Sequence, residues 1–481
     1  VQKTMMELDS TPERLSARDT TVIALLLVSA FVVILNETIM SVALPVLMAD
    51  LRIPASAAQW LTTAFLLTMA IVIPITGFLL QRFHTRSIFI AAMTFFSIGT
   101  LICALAPGFE ALVGGRIVQA CGTAIMLPLL MTTVMTLVPP SSRGKTMGNI
   151  SIVMSVAPAI GPTLSGLILH VLDWRWLFWL VLPIAIIALV MGAARIQNVT
   201  TPRRLAIDVL SVMLSAFAFG GLIFGLSSLG EAARGTVLVP PWIPLVTGAI
   251  ALVSFITRQL WLQRSDRSLL DLRTFRSSNF TVATLMLAIS MLSLFGMIIA
   301  LPLYVQNVLQ MDALATGLLL FPGGLLMGLL APLVGRIYDA RGPRLLVVPG
   351  SIIVSAVFWG ATRMDENTPF LFVLVLHLGL SVGLALLFTP LFSASLGSLK
   401  PQLYSHGSAI IGTVQQLAGA AGTALFITVM TVQSVALTAE GATGVAAAAG
   451  GIQSAFMAGA ILSLLAVVAA FFVRKPADHI E

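Results

Sequence analysis

The sequence predicts an all-helical membrane protein that crosses the bilayer fourteen times. Composition, run length and charge placement carry this. The 481-residue chain is 58% hydrophobic and 9% charged, with mean hydropathy +1.03. A soluble domain carries roughly 25% charged residues. The apolar runs reach about 20 residues, the length that spans a hydrocarbon core as helix. Backbone polar groups in lipid must be satisfied within the segment, and the alternation of a β-barrel is absent, so the spans are helices.

Charge, Gly and Pro break the runs into spans near 21–46, 58–80, 87–107, 111–138, 147–170, 176–196, 207–229, 241–262, 281–303, 314–336, 344–362, 369–396, 409–436 and 452–473. An even number puts both termini on one side. Most Lys and Arg residues fall on that side, including Arg82, Arg86, Arg143, Lys145, Arg195, Arg336, Arg341, Arg344, Arg474 and Lys475. Only Arg52, Arg175, Arg234 and Arg363 lie in loops of the other side. Cytoplasmic loops collect positive charge, so both termini are expected in the cytoplasm. The net charge of +7 then reflects topology and not nucleic-acid binding. The basic connector 259–280 is expected on the inner membrane surface. Segment 1–20 is mixed in charge and leads into a full-length span, which predicts no cleaved signal. Cys103 and Cys121 sit inside apolar runs and read as small buried hydrophobes.

Two membrane charges stand out. Glu37, in "VVILNETIMSVALP", and Arg116, in "GGRIVQACGTAIMLP", fall well inside predicted spans. A charge at bilayer centre costs roughly 2.5–3.5 kcal/mol on insertion scales, so such residues face the bundle interior and have partners. Span direction places the two within about 6 Å in depth, which predicts an interaction, direct or through water, in at least one state. A carboxylate whose hydration changes with conformation is a proton carrier; the alternative is a purely structural ion pair. Asp208 starts the seventh span, where a helix N-terminus favours it. Asn36, Gln119, Thr132, Thr133, Gln306, Asn307, Gln415 and Gln416 are candidates to line a cavity, and His377 is a second titratable group inside a span.

Two loops repeat. "GFLLQRFHTR" (Gly77 to Arg86) follows the second span and "GRIYDARGPR" (Gly335 to Arg344) the tenth. They lie eight spans apart, where two six-helix halves would put them six apart. Two spans have been inserted between the halves, the seventh and eighth.

These loops resemble the conserved loop of the major facilitator superfamily, and the chain is similar to its fourteen-span drug:proton antiporter branch. The second loop keeps Gly335, Asp339, Gly342 and Arg344; the first keeps Gly77, Leu79, Arg82 and Arg86, with Gln81 in place of Asp and His84 in place of Gly. Three further stretches match. "GNISIVMSVAPAIGPTLSG" carries the antiporter pattern through Gly148, Ala157, Gly161, Pro162, Ser165 and Gly166. Arg116, Gln119 and Gly122 fit the fourth-span motif. Trp174, Arg175, Trp176, Phe178 and Pro183 fit the sixth, where the tryptophans read as an interfacial belt. Phe65 stands where the branch usually has Tyr. The form Asn36-Glu37-Thr38 resembles the lincomycin-resistance type exporters, although the wider branch keeps its acid at the position of Asn36.

The resemblance implies two six-helix bundles, 21–196 and 281–473, with the inserted pair and a basic linker at 197–280, a leading segment 1–20 and a tail 474–481. It implies that the loops latch the cytoplasmic side and that small residues let the fifth span rock against a neighbour. It implies a proton-coupled exporter of lipophilic drugs, working as a monomer among membrane lipids, with protons as the coupling ion and no other cofactor. Export of a dedicated metabolite or lipid on the same fold is the alternative. No nucleotide loop, metal cluster or nucleophile triad is evident, which argues against an enzyme and against ATP as the energy source.

Overall fold

The computed structural model describes residues 16–53, 55–199, 202, 207–232, 239–311 and 313–476. Lys3, Arg14, Arg203, Arg204 and Arg234 lie outside them. The helices are α1 (Ala17–Asp50), α2 (Ala55–Arg82), α3 (Thr85–Leu105), α4 (Phe109–Leu137), α5 (Arg143–Val171), α6 (Trp176–Trp179), α7 (Val181–Arg195), α8 (Val209–Ala232), α9 (Trp242–Leu262), α10 (Ser278–Asn307), α11 (Ala313–Arg341), α12 (Arg344–Ala361), α13 (Phe370–Gly397), α14 (Tyr404–Ala439) and α15 (Gly444–Ala470). α6 and α7 together form the sixth span. Among the described residues fourteen helical stretches are long and apolar enough to cross a membrane, as the sequence predicts. The face where α1 begins and α15 ends is called the basic face here.

Local chemistry sets the helix starts. Ser16 caps α1 by accepting from the Asp19 N–H, Ser277 caps α10 and Thr443 caps α15. Prolines sit inside many spans, including Pro74, Pro128, Pro162, Pro302 and Pro390. Neighbouring helices and nearby hydroxyls tolerate them in membranes.

α1–α7 pack as one bundle and α10–α15 as a second. α5 against α11 and α2 against α14 join them. Small residues allow close approach. A Cβ on Gly335 would lie 2.3 Å from the Gly144 carbonyl oxygen, and one on Gly148 2.6 Å from that of Ala331. The fifth-span motif serves two neighbours: Gly148 faces α11, whereas Gly161 lies against Thr38 of α1. Gly166 has open space around it, so close packing does not require glycine there.

The inserted pair forms a hairpin, α8 on α9. α8 packs against both α2 and α14. α9 lies outside it with Trp242 and Trp261 exposed at its ends. Nineteen residues separate them, about 28 Å along a helix, so they match the two interfaces of a bilayer. At the base of the hairpin Asp208 accepts from Arg258 Nε at 2.6 Å and Nη2 at 2.7 Å, and caps α8 through the Ser211 N–H at 3.1 Å. The structural role expected of Asp208 is what the geometry displays.

Two expectations are corrected. The connector after α9 does not simply lie on a surface: Leu269, Leu270, Asp271 and Thr274 are buried. Gln259 Oε1 accepts from the Leu269 N–H at 2.7 Å, and Asp271 caps a short turn and pairs with Arg273. Satisfied backbone and a local ion pair let the segment tuck in. Trp174 is no belt residue. It is 1% exposed and its indole N–H donates to Asp50 Oδ2 at 2.7 Å, tying the far end of α1 to the loop before α6. A buried indole needs such an acceptor. Trp176 and Trp179 are exposed and keep the belt position.

The Arg258 hydrogen bonds pull the Asp208 carboxyl down to about 2 from an ordinary 3.8. A depressed carboxyl contributes stability that is present above its unfolded value and is lost as pH falls through the folded one. The hairpin should therefore loosen between about pH 4 and 2. Asp208→Ala should cost about 1–2 kcal/mol at neutral pH through the lost cap and ion pair. Thermal unfolding in detergent and protease sensitivity at the α8–α9 base check both.

Candidate functional site

Arg116 is the centre of the first bundle. It is 1% exposed, and its charge is satisfied by neutral groups from three helices. Nη1 donates to Asn36 Oδ1 of α1 at 3.1 Å and to Gln119 Oε1 of α4 at 2.8 Å; Nε donates to the Leu61 carbonyl of α2 at 3.4 Å. The guanidinium carbon lies 4.0 Å from the centre of the Phe65 ring, a cation–π contact. Gln119 Nε2 donates in turn to Thr100 Oγ1 of α3 at 2.8 Å. Four helices are thus tied to one side chain.

Glu37 is next in sequence to Asn36, about 100° around α1, and half-buried. It is not within ion-pair distance of Arg116. Of the Asn-Glu pair, the amide makes the direct contact with Arg116 in this state. That changes the reading of two cavity candidates. Asn36 and Gln119, 2% and 0% exposed, hold Arg116. A guanidinium in a dry bundle needs several acceptors, and these amides supply them.

The other candidates do not gather into one site. Gln306 and Asn307 are exposed at the far end of α10, where Gln306 donates to Thr316 at 3.2 Å. Asn307 borders a groove of about 570 Å³ with Met430, Ser434 and Ile452. Gln415 is buried in α14 and Gln416 half-buried. His377 Nε2 lies 3.2 Å from the Leu320 carbonyl oxygen, inside the second bundle. Thr133 is buried, while Thr132 meets Ser408 of α14 at 2.8 Å, a bond between bundles. Thr389 Oγ1 donates to Ser151 Oγ at 2.7 Å in a second such bond, which sequence reasoning missed. Phe65 was missed as a partner too; the signal was an aromatic on the helix whose carbonyl Arg116 also reaches.

The two repeated loops sit at mirror positions on the basic face and are both engaged. Asp339 accepts from the N–H groups of Gly144 and Lys145 at 2.7 and 2.9 Å, at the N-terminus of α5. An anion there meets unsatisfied donors and the positive end of the helix dipole. At the mirror position Gln81 Nε2 donates to Ser405 Oγ at 3.1 Å and the Gln402 carbonyl at 3.3 Å, beside the start of α14. Gln81 keeps the contact but reverses its polarity. Gly77 lies under Ser405 and His406 as Gly335 lies under Gly144. Arg82 packs over the rings of Phe78 and Phe83, the Arg86 N–H reaches Asn198 Oδ1 at 3.4 Å, and Arg344 Nε donates to the Val473 carbonyl at 3.3 Å. The halves are closed on this face.

Two bundles, an inserted hairpin, paired loops and a buried Arg cage define a membrane transporter. The chain belongs to the Major Facilitator Superfamily, whose family model matches residues 26–423. It is 42% identical to the lincomycin resistance protein LmrB of Listeria monocytogenes over 94% of this chain and 96% of that protein. It is 30% identical to the multidrug resistance protein B homolog of Mycobacterium tuberculosis over 86% of this chain and 78% of that protein. Its fold is shared with the human organic anion transporter MFSD10, at TM-score 0.67 and 16% identity, covering 94% of this chain and 99% of that one. It is an integral protein of the bacterial plasma membrane.

Asn36→Leu should lower stability by about 1–3 kcal/mol, because it takes an acceptor from a buried cation. Glu37→Gln, which breaks no hydrogen bond seen here, should leave thermal unfolding in detergent unchanged. Asp339→Asn should weaken basic-face closure by about 1.4 kcal/mol or more, and Gln81→Leu by less. In a Cys121→Ser background, maleimide labelling of Ser408→Cys from the basic side, buried when closed, should rise about tenfold with Asp339→Asn.

Proposed function

We propose that this protein is a proton-coupled exporter of lipophilic compounds, with its basic face in the cytoplasm. One observation carries the reading: a half-buried carboxylate, Glu37, sits next to the cage of a fixed guanidinium within the first bundle. The hydrogen bonds that hold Arg116 all go to neutral groups, so none of them is lost when Glu37 changes charge. The carboxylate is then free to gain and lose a proton as its hydration changes. Glu37 adjoins Thr38, which packs on Gly161 of α5, and α5 is also half of the joint with α11. Motion at that joint therefore reaches the surroundings of the acid.

The cycle follows from two-sided access. Closed on the basic face, the protein takes a proton from outside on Glu37. Release of the Asp339 and Gln81 contacts opens the basic face, where the proton leaves and substrate binds. Drug-resistance relatives support lipophilic drugs as substrates. The protein is proposed to act as a monomer among membrane lipids, with protons alone as the coupling ion.

In proteoliposomes with an imposed pH gradient, wild-type protein should drive uphill export of lipophilic cationic dyes. Glu37→Gln should lose at least about 90% of the gradient-driven rate while binding dye normally. Retained uphill export by Glu37→Gln would remove Glu37 from the coupling step. Proton movement triggered only by one metabolite, with no response to dyes, would favour a dedicated exporter.

A further inference from the structure

The two seams between the bundles occupy mirror positions but are built differently. α5 and α11 meet from Gly144 and Gly335 at the basic face up to Ala159 and Gly324, about 22 Å of helix. α2 and α14 meet directly at Gln81 and Ser405, at Gly77 and Ala409, and at Ile73 and Gly412. Above them α8 lies against α2: Gly220 is beside Leu67 and Ile71, and Phe224 meets Trp60 with ring centres 6.0 Å apart. α8 also packs on α14, and α9 backs it on the outside. The hairpin covers this seam from the lipid. Among the described residues it makes no substantial contact with α5 or α11, and Leu325 and Leu329 of α11 are exposed.

Behind the uncovered seam lies a void. Met154 of α5, Met291 and Leu294 of α10, Met327 of α11, and Phe388 and Phe392 of α13 line it. Its volume is about 30 Å³. Ser151, which accepts from Thr389 Oγ1, also lines it. Along α5, Met154 is about 17 Å from the basic end, within the basic-side half of the bilayer. Thioether side chains reshape at little cost, so such a lining adapts to varied lipophilic shapes. Parting α5 from α11 enlarges it.

We propose that α8–α9 is a seal that keeps lipid out of the α2–α14 seam, and that lipophilic substrate enters from the basic-side leaflet between α5 and α11 to seat in the Met- and Phe-lined void. The route rests on the exporter reading above; the seal does not. The chemistry recognised is an apolar or aromatic body of varied shape, with Ser151 as a polar contact once its bond to Thr389 opens.

Two measurements test this in liposomes with the Cys121→Ser background. Bimane is attached at Met327→Cys or at Leu67→Cys, and lipids with brominated acyl chains serve as the quencher. Strong quenching at 327 with at least about threefold weaker quenching at 67 is expected; equal quenching, or the reverse, overturns the seal. Export of a trimethylammonium diphenylhexatriene dye, which resides in the bilayer, is then compared with Met327→Trp. A KM raised about tenfold with kcat kept is expected. An unchanged KM in a variant that still exports overturns the route alone. Asymmetric quenching in a wild-type protein that exports no dye overturns the exporter reading and the route together, and upholds the seal.

Discussion

A guanidinium placed in a bilayer cannot be left without acceptors, and the first bundle is arranged around that demand. Arg116 draws a side-chain amide from α1, a carbonyl and a ring from α2, and an amide from its own helix that is braced by α3. Removing water from a cation costs several kcal/mol unless such groups replace it. The replacement here is neutral. A carboxylate partner would have bound the cation more strongly, but its protonation would then have disturbed the cage. With amides doing the holding, none of the hydrogen bonds to Arg116 uses the carboxylate of Glu37.

The second organising feature is the pair of closures on the basic face. Both place a polar side chain at the start of a helix in the opposite bundle, but only Asp339 meets the free N–H groups of that helix end. One uses a carboxylate facing two N–H groups and the other an amide donating to an oxygen pair. Charge-assisted bonds are roughly twice as strong as neutral ones. The two halves therefore do not let go equally, and the weaker side is the one that α8 overlies. An internal repeat has diverged in strength while keeping its geometry.

Much of this was legible in the chain. Fourteen spans follow from run length, because lipid leaves helix as the available answer. The paired loops follow from a repeated Gly with a polar residue four positions on, and the inserted hairpin from their spacing. Other features were not legible. Nothing in "NET" says which of two adjacent polar side chains turns toward α4, because that depends on helix rotation in the packed bundle. Gln119 read as a cavity residue since a polar residue in a span suggests solvent; its role came from a neighbour one turn away. Trp174 read as interfacial from its place beside a loop, yet Asp50, distant in sequence, buries it. The linker read as surface-bound from its charge, while Leu269 and Leu270 drew it inward. In each case the missing information was a long-range partner.

The two tryptophans of α9 carry a consequence of another kind. Anchored at both interfaces, α9 measures the thickness of the membrane it stands in. A thinner or thicker bilayer meets that fixed length with tilt or local deformation, at a cost of fractions of a kcal/mol per ångström. α9 is packed on α8, and α8 on both halves. The mechanical state of the bilayer is thereby wired into the protein, and lipid chain length becomes a variable of how its two halves sit against one another.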